Sequence, residues 1–203
     1  AVMCNPTAKR AIDCILCIVA LPLAIILIMV SSIFLYIESP GPVIFKQKRL
    51  GRDRKYFMMY KIRKFHPDES EFGRGYTLAS DTRCTKVGLI LEKLKIDELP
   101  QLYNIIVGDM AIVGPRPITL FFEDEYQSKY DQLFQYRPGI FGPNQILYRN
   151  EGQLLSEQDD PEHYYRTILV KDKAERDIKY FSETNCFRQY LLIAKGIYST
   201  IFK

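Results

Sequence analysis

Apolar and polar positions divide the chain unevenly. No charged side chain occurs between residues 14 and 37. As one straight helix that run of about 24 residues would measure about 36 Å, enough to cross a bilayer core. Pro22 lies inside it and predicts a kink, because proline removes a backbone hydrogen bond. Basic residues flank both ends: Lys9 and Arg10 before, then Lys46, Lys48, Arg49, Arg52, Arg54 and Lys55 after. Positive flanks favour the cytoplasm. A simple crossing and a re-entrant excursion turning near Pro22 therefore both stand. A buried soluble helix comes third, since few are apolar all round. The length of the run and the lack of a small-residue cleavage site argue against a signal peptide.

Beyond the run the pattern shortens. Residues 43–45 read as a strand leading into a basic string, and residues 56–65 as a strand or an interfacial segment. Residues 68–80 read as a polar loop with Gly73 and Gly75. Residues 82–95 predict a turn and then a helix with Val87, Leu89, Ile90, Leu91 and Leu94 apolar. A second helix starts near Glu98, with Asp97 at its N-cap and Pro100 in its first turn. Leu99, Leu102, Tyr103, Ile105 and Ile106 form its apolar face, and Gly108 stops it. A polar helix follows Pro161. The last 25 or so residues mix apolar and basic positions, which suits either a helix in the membrane interface or ordinary core packing.

Composition adds little and excludes some classes. At 203 residues, 47% hydrophobic and 26% charged, this is one globular domain with an appendage. The net charge of +4 does not point to nucleic acid, and an RNA-binding reading of the aromatic and basic residues 56–65 is weak. Cys14 and Cys17 form a C-x-x-C without a second pair, so the five cysteines are expected to be reduced, buried thiols. His66 and His163 are the only histidines, which argues against a His-based triad. No Walker loop or Rossmann glycine fingerprint occurs. The chain begins with Ala, as a piece cut from a longer protein would.

The candidate chemistry lies in residues 95–117. An Asp at a helix N-terminus sits among unpaired N–H groups and the positive end of the dipole. That favours the ionised form, the form that attacks, and the same groups suit a phosphate. Glu98 beside it is placed to hold Mg²⁺. The plainer reading makes Asp97 a cap and Glu98 a dipole partner. Arg116, fixed by Pro115 and Pro117, reads as a guanidinium held for a nucleotide or as a rigid, solvated turn.

Several stretches together resemble the monotopic phosphoglycosyl transferases, the bacterial sugar transferase family. They are Lys9-Arg10 with Asp13, Pro22 in the apolar run, SPGPVIFKQKRLG (39–51), YKIRKF (60–65), DELPQL (97–102), GDM (108–110), VGPRP (113–117) and RPGIFGPNQ (137–145). The most specific part is DELPQL followed by VGPRP at this spacing. The resemblance implies a mainly α fold with a small β-hairpin (α+β). Residues 1–38 would form a re-entrant helix-break-helix hairpin, and residues 39–203 a compact cytoplasmic catalytic domain with amphipathic interface helices. It implies transfer of a phosphosugar from a UDP-sugar to undecaprenyl phosphate, with UMP leaving and Mg²⁺ required, at the cytoplasmic face of the plasma membrane. Asp97 matches the nucleophile of a covalent intermediate and Glu98 its dyad partner, and both would meet the metal. Arg116 matches the nucleotide contact, and Pro115, Pro117, Gln47, Arg49, Lys61, Arg63, Arg83, Lys93, Arg137 and Gln145 fall to substrate binding. The implied partners are the UDP-sugar, the undecaprenyl phosphate and membrane lipid, with no nucleic acid, and the reading admits a homodimer.

Some positions depart from the family pattern. Glu92 stands where the family has Arg ahead of the nucleophile, with Lys93 next to it as a substitute. Asn144 belongs to an altered Gly/Pro-rich motif, and Gln189 replaces an Asp. Glu92 keeps a second reading open, a membrane-anchored scaffold of the same fold with impaired catalysis.

Overall fold

The computed structural model describes residues 5–67, 75–79 and 81–202. Helix α1, Pro6–Glu38, is capped by the Asn5 side chain, which accepts from the N–H groups of Thr7 and Ala8. It is helical throughout, with Pro22 inside it, so the expected break is not an interruption of helical structure. Proline forfeits one backbone bond, and the Ala and Leu residues on either side carry the helix across. Its mean hydropathy reaches 3.0, and its length and composition suffice to cross a membrane. Asp13, Cys17, Ala24, Ser31 and Leu35 form its buried stripe, while Ile18, Val19, Leu23, Ile33 and Ile37 stay exposed.

Strands β1, Ile44–Leu50, and β2, Tyr56–Ile62, form the expected hairpin. It is longer than the pattern suggests, because the basic string lies inside β1 and not in a loop. The connection is tight, with Asp53 and Arg54 both at φ 55°, a left-handed conformation uncommon outside glycine. Side chains alternate along a strand, so Phe45, Gln47 and Arg49 are half-buried on one face while Lys46 and Lys48 are exposed on the other.

Helix α2, Lys86–Leu94, is capped by Thr85, whose side chain accepts from the Gly88 N–H. It ends at Lys95, at φ 60°. Residues 96–98 form one 3₁₀ turn, and α3, Gln101–Val107, stops at Gly108 with φ 101°, the left-handed C-cap that glycine allows. Strand β3, Ala111–Val113, is followed by β4, Ile118–Thr119, which joins the hairpin sheet antiparallel to β1. Strand β5, Gly139–Phe141, pairs parallel with β3. Gly114 permits this close approach, since a Cβ there would come within 2.1 Å of the Arg137 carbonyl oxygen. The strand content thus exceeds one hairpin.

The C-terminal part is helical: α4, Pro143–Leu147; α5, Glu151–Ser156; α6, Pro161–Tyr164; α7, Val170–Glu183; and α8, Cys186–Phe202. A π-helical turn, Tyr165–Leu169, joins α6 to α7. Helix α8 buries Gln189, Leu192 and Ser199 and exposes Phe187, Leu191, Ile197 and Tyr198, as expected of an amphipathic helix. Cys186 is disulfide-bonded, which corrects the expectation that all the cysteines are reduced. Cys14 and Cys84 are free but only half-buried. Most of the loop expected at residues 68–80 lies outside the described residues.

Three apolar clusters hold the body together. One packs Leu50, Phe122, Leu155, Tyr165 and Leu169; a second joins Cys17 to Met59, Ile105, Met110, Phe181 and Leu192; a third joins Leu35 to Ile62 and Leu91. Each of the last two contains a residue of α1, Cys17 in its first half and Leu35 near its C-terminal end. Polar contacts repeat the arrangement. The Arg10 guanidinium donates to the carbonyls of Ile105 and Ile106. The Glu38 carboxylate accepts from the Lys86 and Val87 N–H groups at 2.7 and 2.8 Å, which caps α2. One body therefore grips both ends of the apolar helix.

Candidate active site

The 3₁₀ turn at residues 96–98 carries the site. Asp97 makes no capping bond, and Pro100, not Asp97, precedes α3. The expectation of an N-cap thus fails: the extra turn separates Asp97 from the α3 amides and aims its side chain into a cavity. That cavity has a volume of about 210 Å³. Asp97 and Glu98 are 3% and 6% exposed, so they are buried in the cavity wall and not in apolar packing. Asn104 fixes the turn from behind. Its side chain accepts from the Tyr60 N–H and donates to the Met58 carbonyl, tying α3 to β2.

Lys61 reaches into the cavity from β2. Its Nζ is 3.0 Å from Glu98 Oε1 and 3.7 Å from Asp97 Oδ2. The Arg116 guanidinium comes within 3.7 Å of Glu98 Oε1. Asp97 Oδ1 is buried without a hydrogen-bond partner. Burial pushes the Asp97 carboxyl up to about 6; Lys61 opposes this and Glu98 adds to it. The helix N-terminus therefore does not set its ionisation as expected. Burial acts on Glu98 in the same direction, but Lys61, Arg116 and Lys95 outweigh it and hold Glu98 well below the usual carboxylate range. The turn thus carries a Glu held towards its ionised form next to an Asp that burial pushes up to about 6.

The cavity gathers many of the candidates, among them Gln47, Arg49, Lys61, Asp97, Glu98, Arg116, Pro117 and Gln145. Strand alternation explains why Gln47 and Arg49 line it. The other candidates lie elsewhere. Arg63 is buried, with its guanidinium donating to Ser39 Oγ and to the carbonyls of Ser39 and Phe65. Arg83 pairs with Asp81. Lys93 is exposed on α2. Arg137 donates to the Gly108 carbonyl, and the Pro115 carbonyl accepts from the Gly139 N–H. Glu92 does line the cavity, paired with Lys64 at 2.8 Å, and Lys95 lines it as well. Lysines from β2, the segment after it and the α2 cap thus supply the positive charge that Lys93 was expected to supply.

Sequence reasoning missed a second group of lining residues, Glu151, Tyr165, Lys173 and Asp177; Asn144, from the altered motif, lines the cavity with them. Lys173 Nζ donates to the Glu151 carboxylate and to Tyr165 Oη. The Tyr165 ring stacks on Phe122 with centroids 4.0 Å apart. Burial pushes Asp177 up to about 7, against the pull of Asn144, the Arg116 backbone N–H and Lys173. Only the Pro161 helix start was readable here. Nothing in the sequence pattern marks the π turn, a feature frequent at functional sites, that sets Tyr165 against Lys173.

The bacterial sugar transferase family model matches residues 4–203, and the chain belongs to that family. It is 32% identical to a UDP-N-acetylgalactosamine-undecaprenyl-phosphate N-acetylgalactosaminephosphotransferase of Aeromonas hydrophila, over 93% of this chain and 42% of that protein. It is 36% identical to a putative undecaprenyl-phosphate N-acetylgalactosaminyl 1-phosphate transferase of Bacillus subtilis, over 71% and 80%. It is 31% identical to a UDP-glucose:undecaprenyl-phosphate glucose-1-phosphate transferase of Caulobacter vibrioides, over 95% and 69%. The chain thus spans less than half the length of the Aeromonas protein and more than two thirds of the other two.

Proposed function

We propose that the chain moves a sugar 1-phosphate from a UDP-sugar to undecaprenyl phosphate through a covalent intermediate on Asp97. The observation that carries this reading is a buried carboxylate with one unpartnered oxygen, facing a cavity beside Lys61 and Arg116. In the first step Asp97 attacks the β-phosphorus of the donor. A bond forms from an Asp97 carboxylate oxygen to that phosphorus. The bond from phosphorus to the bridging oxygen breaks, and the electron pair leaves with UMP. In the second step an oxygen of the lipid phosphate attacks the same phosphorus, and Asp97 is released as carboxylate. Two steps let two dissimilar substrates use one site in turn. Lys61 and Arg116 balance the charge that accumulates on the phosphoryl oxygens.

The residues that would hold Mg²⁺ are the two adjacent carboxylates, with the unpartnered Asp97 Oδ1 as one donor. Lys61 Nζ already lies within 3.7 Å of both carboxylates, the place where a cation belongs. Two carboxylates with substrate phosphates form a common Mg²⁺ site, and Asp97 and Glu98 would hold it. Bound there, Mg²⁺ would supply charge neutralisation between the carboxylate and the diphosphate.

The membrane reading rests on α1. A helix crossing a hydrocarbon core of about 30 Å leaves its ends on opposite sides. Here Arg10 and Glu38 are gripped by the two neighbouring helices α3 and α2. That supports both ends of α1 lying on one side of the membrane, and the basic flanks favour the cytoplasmic face.

The test is an intact-mass measurement after mixing the protein with a UDP-sugar and no lipid. The expected result is one sugar-phosphate adduct at Asp97 with one UMP released, and neither in Asp97→Asn. UMP release undiminished in Asp97→Asn would overturn the assignment.

A further inference from the structure

A second cavity, of about 160 Å³, lies on the other side of the carboxylate turn. Its wall is apolar, built by Leu99, Leu102, Ile140, Phe141 and Ile146 with one side of α8 at Gly196, Ser199 and Thr200. The hydroxyls there are already used: Ser199 Oγ and Thr200 Oγ1 both donate to the Gly196 carbonyl, at 2.8 and 3.0 Å. The wall therefore offers little to the polar edges of a base or to the hydroxyls of a sugar. It offers a hydrocarbon both contact and release from water.

One end of this cavity is charged. Lys95, Glu98, Arg116, Gln145 and Arg149 line both cavities, so the two meet at the nucleophile's neighbour. Arg149 is held from one side only. Its Nη2 donates to the Lys93 and Thr200 carbonyls at 3.2 Å, while Nη1 is buried with no partner. A buried guanidinium N–H without an acceptor is costly, and a phosphate oxygen supplies what it lacks. The helices that build the cavity, α3, α4 and α8, also expose Tyr103, Val107, Leu147, Ile197 and Tyr198. A chain leaving the cavity thus meets an apolar surface.

We infer that this cavity seats the first isoprene units of the lipid acceptor and that Arg149 anchors its phosphate. The inference rests on the proposed transfer and adds where the acceptor binds. The donor enters the polar cavity and the acceptor the apolar one, and Glu98 and Arg116 border both. Charge and wall chemistry select the occupant: an anionic head with a hydrocarbon body.

The experiment uses the full chain in nanodiscs and an isoprenyl phosphate with a diazirine on its first isoprene unit. Labelling is expected within residues 99–102, 140–146 and 196–200, competed away by undecaprenyl phosphate. Ser199→Leu fills the cavity and is expected to remove the label. Arg149→Ala is expected to weaken labelling about tenfold or more, as the loss of a charged hydrogen bond would, with Arg149→Lys recovering part of it. In turnover, both Ser199→Leu and Arg149→Ala are expected to raise the acceptor KM by more than the donor KM. Label confined to α1, or a donor KM that rises as much as the acceptor KM, would overturn the inference. Because the label reads binding, it stays decisive if UMP release shows that the proposed reaction itself is wrong.

Discussion

The main cavity has two charged walls built by opposite means. On one, Asp97 and Glu98 are chain neighbours and share Lys61 from β2. On the other, Glu151, Tyr165, Lys173 and Asp177 come from α5, the π turn and α7. Each wall has a lysine, half-buried Lys61 and buried Lys173, but the two respond differently. Burial lowers both, yet Glu98 and Asp97 together carry Lys61 above its ordinary value. Lys173 stays below its own, because Glu151 does not offset burial and Arg116 adds repulsion. Each wall also has an acid raised by burial, Asp97 to about 6 and Asp177 to about 7. Similar groups thus take different states, and what decides is how much opposite charge lies within reach. The Asp97 wall pairs a raised acid with a raised lysine and a lowered Glu98, and the Asp177 wall a raised acid with a lowered lysine.

The largest test of that contrast is activity. Asp97→Asn is expected to lower UMP release by about 10³-fold or more, as removal of a nucleophile does. Asp177→Asn is expected to keep at least about a hundred times the activity of Asp97→Asn, since its role is shape and not bond formation. Equal loss in both would mean that the two walls act as one catalytic unit. Stability comes next. Glu98→Gln removes the charge from Lys61's 3.0 Å partner and leaves Asp97 at 3.7 Å, which is expected to cost about 1–3 kcal/mol, as weakening a hydrogen bond to a charged group does. Glu151→Gln is expected to cost less, because Lys173 keeps Tyr165 Oη as a partner and burial already holds it below its ordinary value. Denaturant titration of the two variants ranks them, and the reverse order would break the comparison.

The two walls differ as much in legibility. Asp97 and Glu98 were readable because they are adjacent and stand just before Pro100, with Gly-Pro-Arg-Pro following at 114–117. Gln47 and Arg49 were named through the family resemblance, and only the length of β1, which runs through the basic residues, shows by alternation why both face the cavity. The opposite wall was not readable: its residues lie far from residue 97 in sequence, and the π turn that aligns Tyr165 with Lys173 leaves no periodic signal. The cap reading of Asp97 failed for a related reason. Lys95 takes a left-handed conformation at φ 60°, which inserts a turn that residue propensities do not announce. Arg63 misled because a buried arginine held by the Ser39 and Phe65 carbonyls looks, in sequence, like one waiting for a phosphate.

The pH dependence of the first step separates the two acids. Asp97 must be ionised to attack, so single-turnover UMP release is expected to rise with pH through an apparent pKa of about 6 and to level off by neutrality. If it instead followed the Asp177 value of about 7, the reacting carboxylate would be on the wrong wall.

The smallest effect concerns what the reactive wall does to stability. The folded-state pKa of Asp97 lies above its unfolded value, so the folded protein binds the proton more tightly than the unfolded chain does. That contribution is complete below the unfolded pKa and disappears as pH rises through about 6. At pH 7 the ionised Asp97 is therefore held at a cost, and Asn, which carries no charge, relieves it. Asp97→Asn should melt a few degrees higher than the natural protein at pH 7, at about 2–4 °C per kcal/mol for a chain of this size. The gain should shrink as the pH is lowered towards 4. A higher melting point in the variant that cannot react is the mark of a site whose function is held against stability, and a lower one would mean that Lys61 needs Asp97 more than burial opposes it.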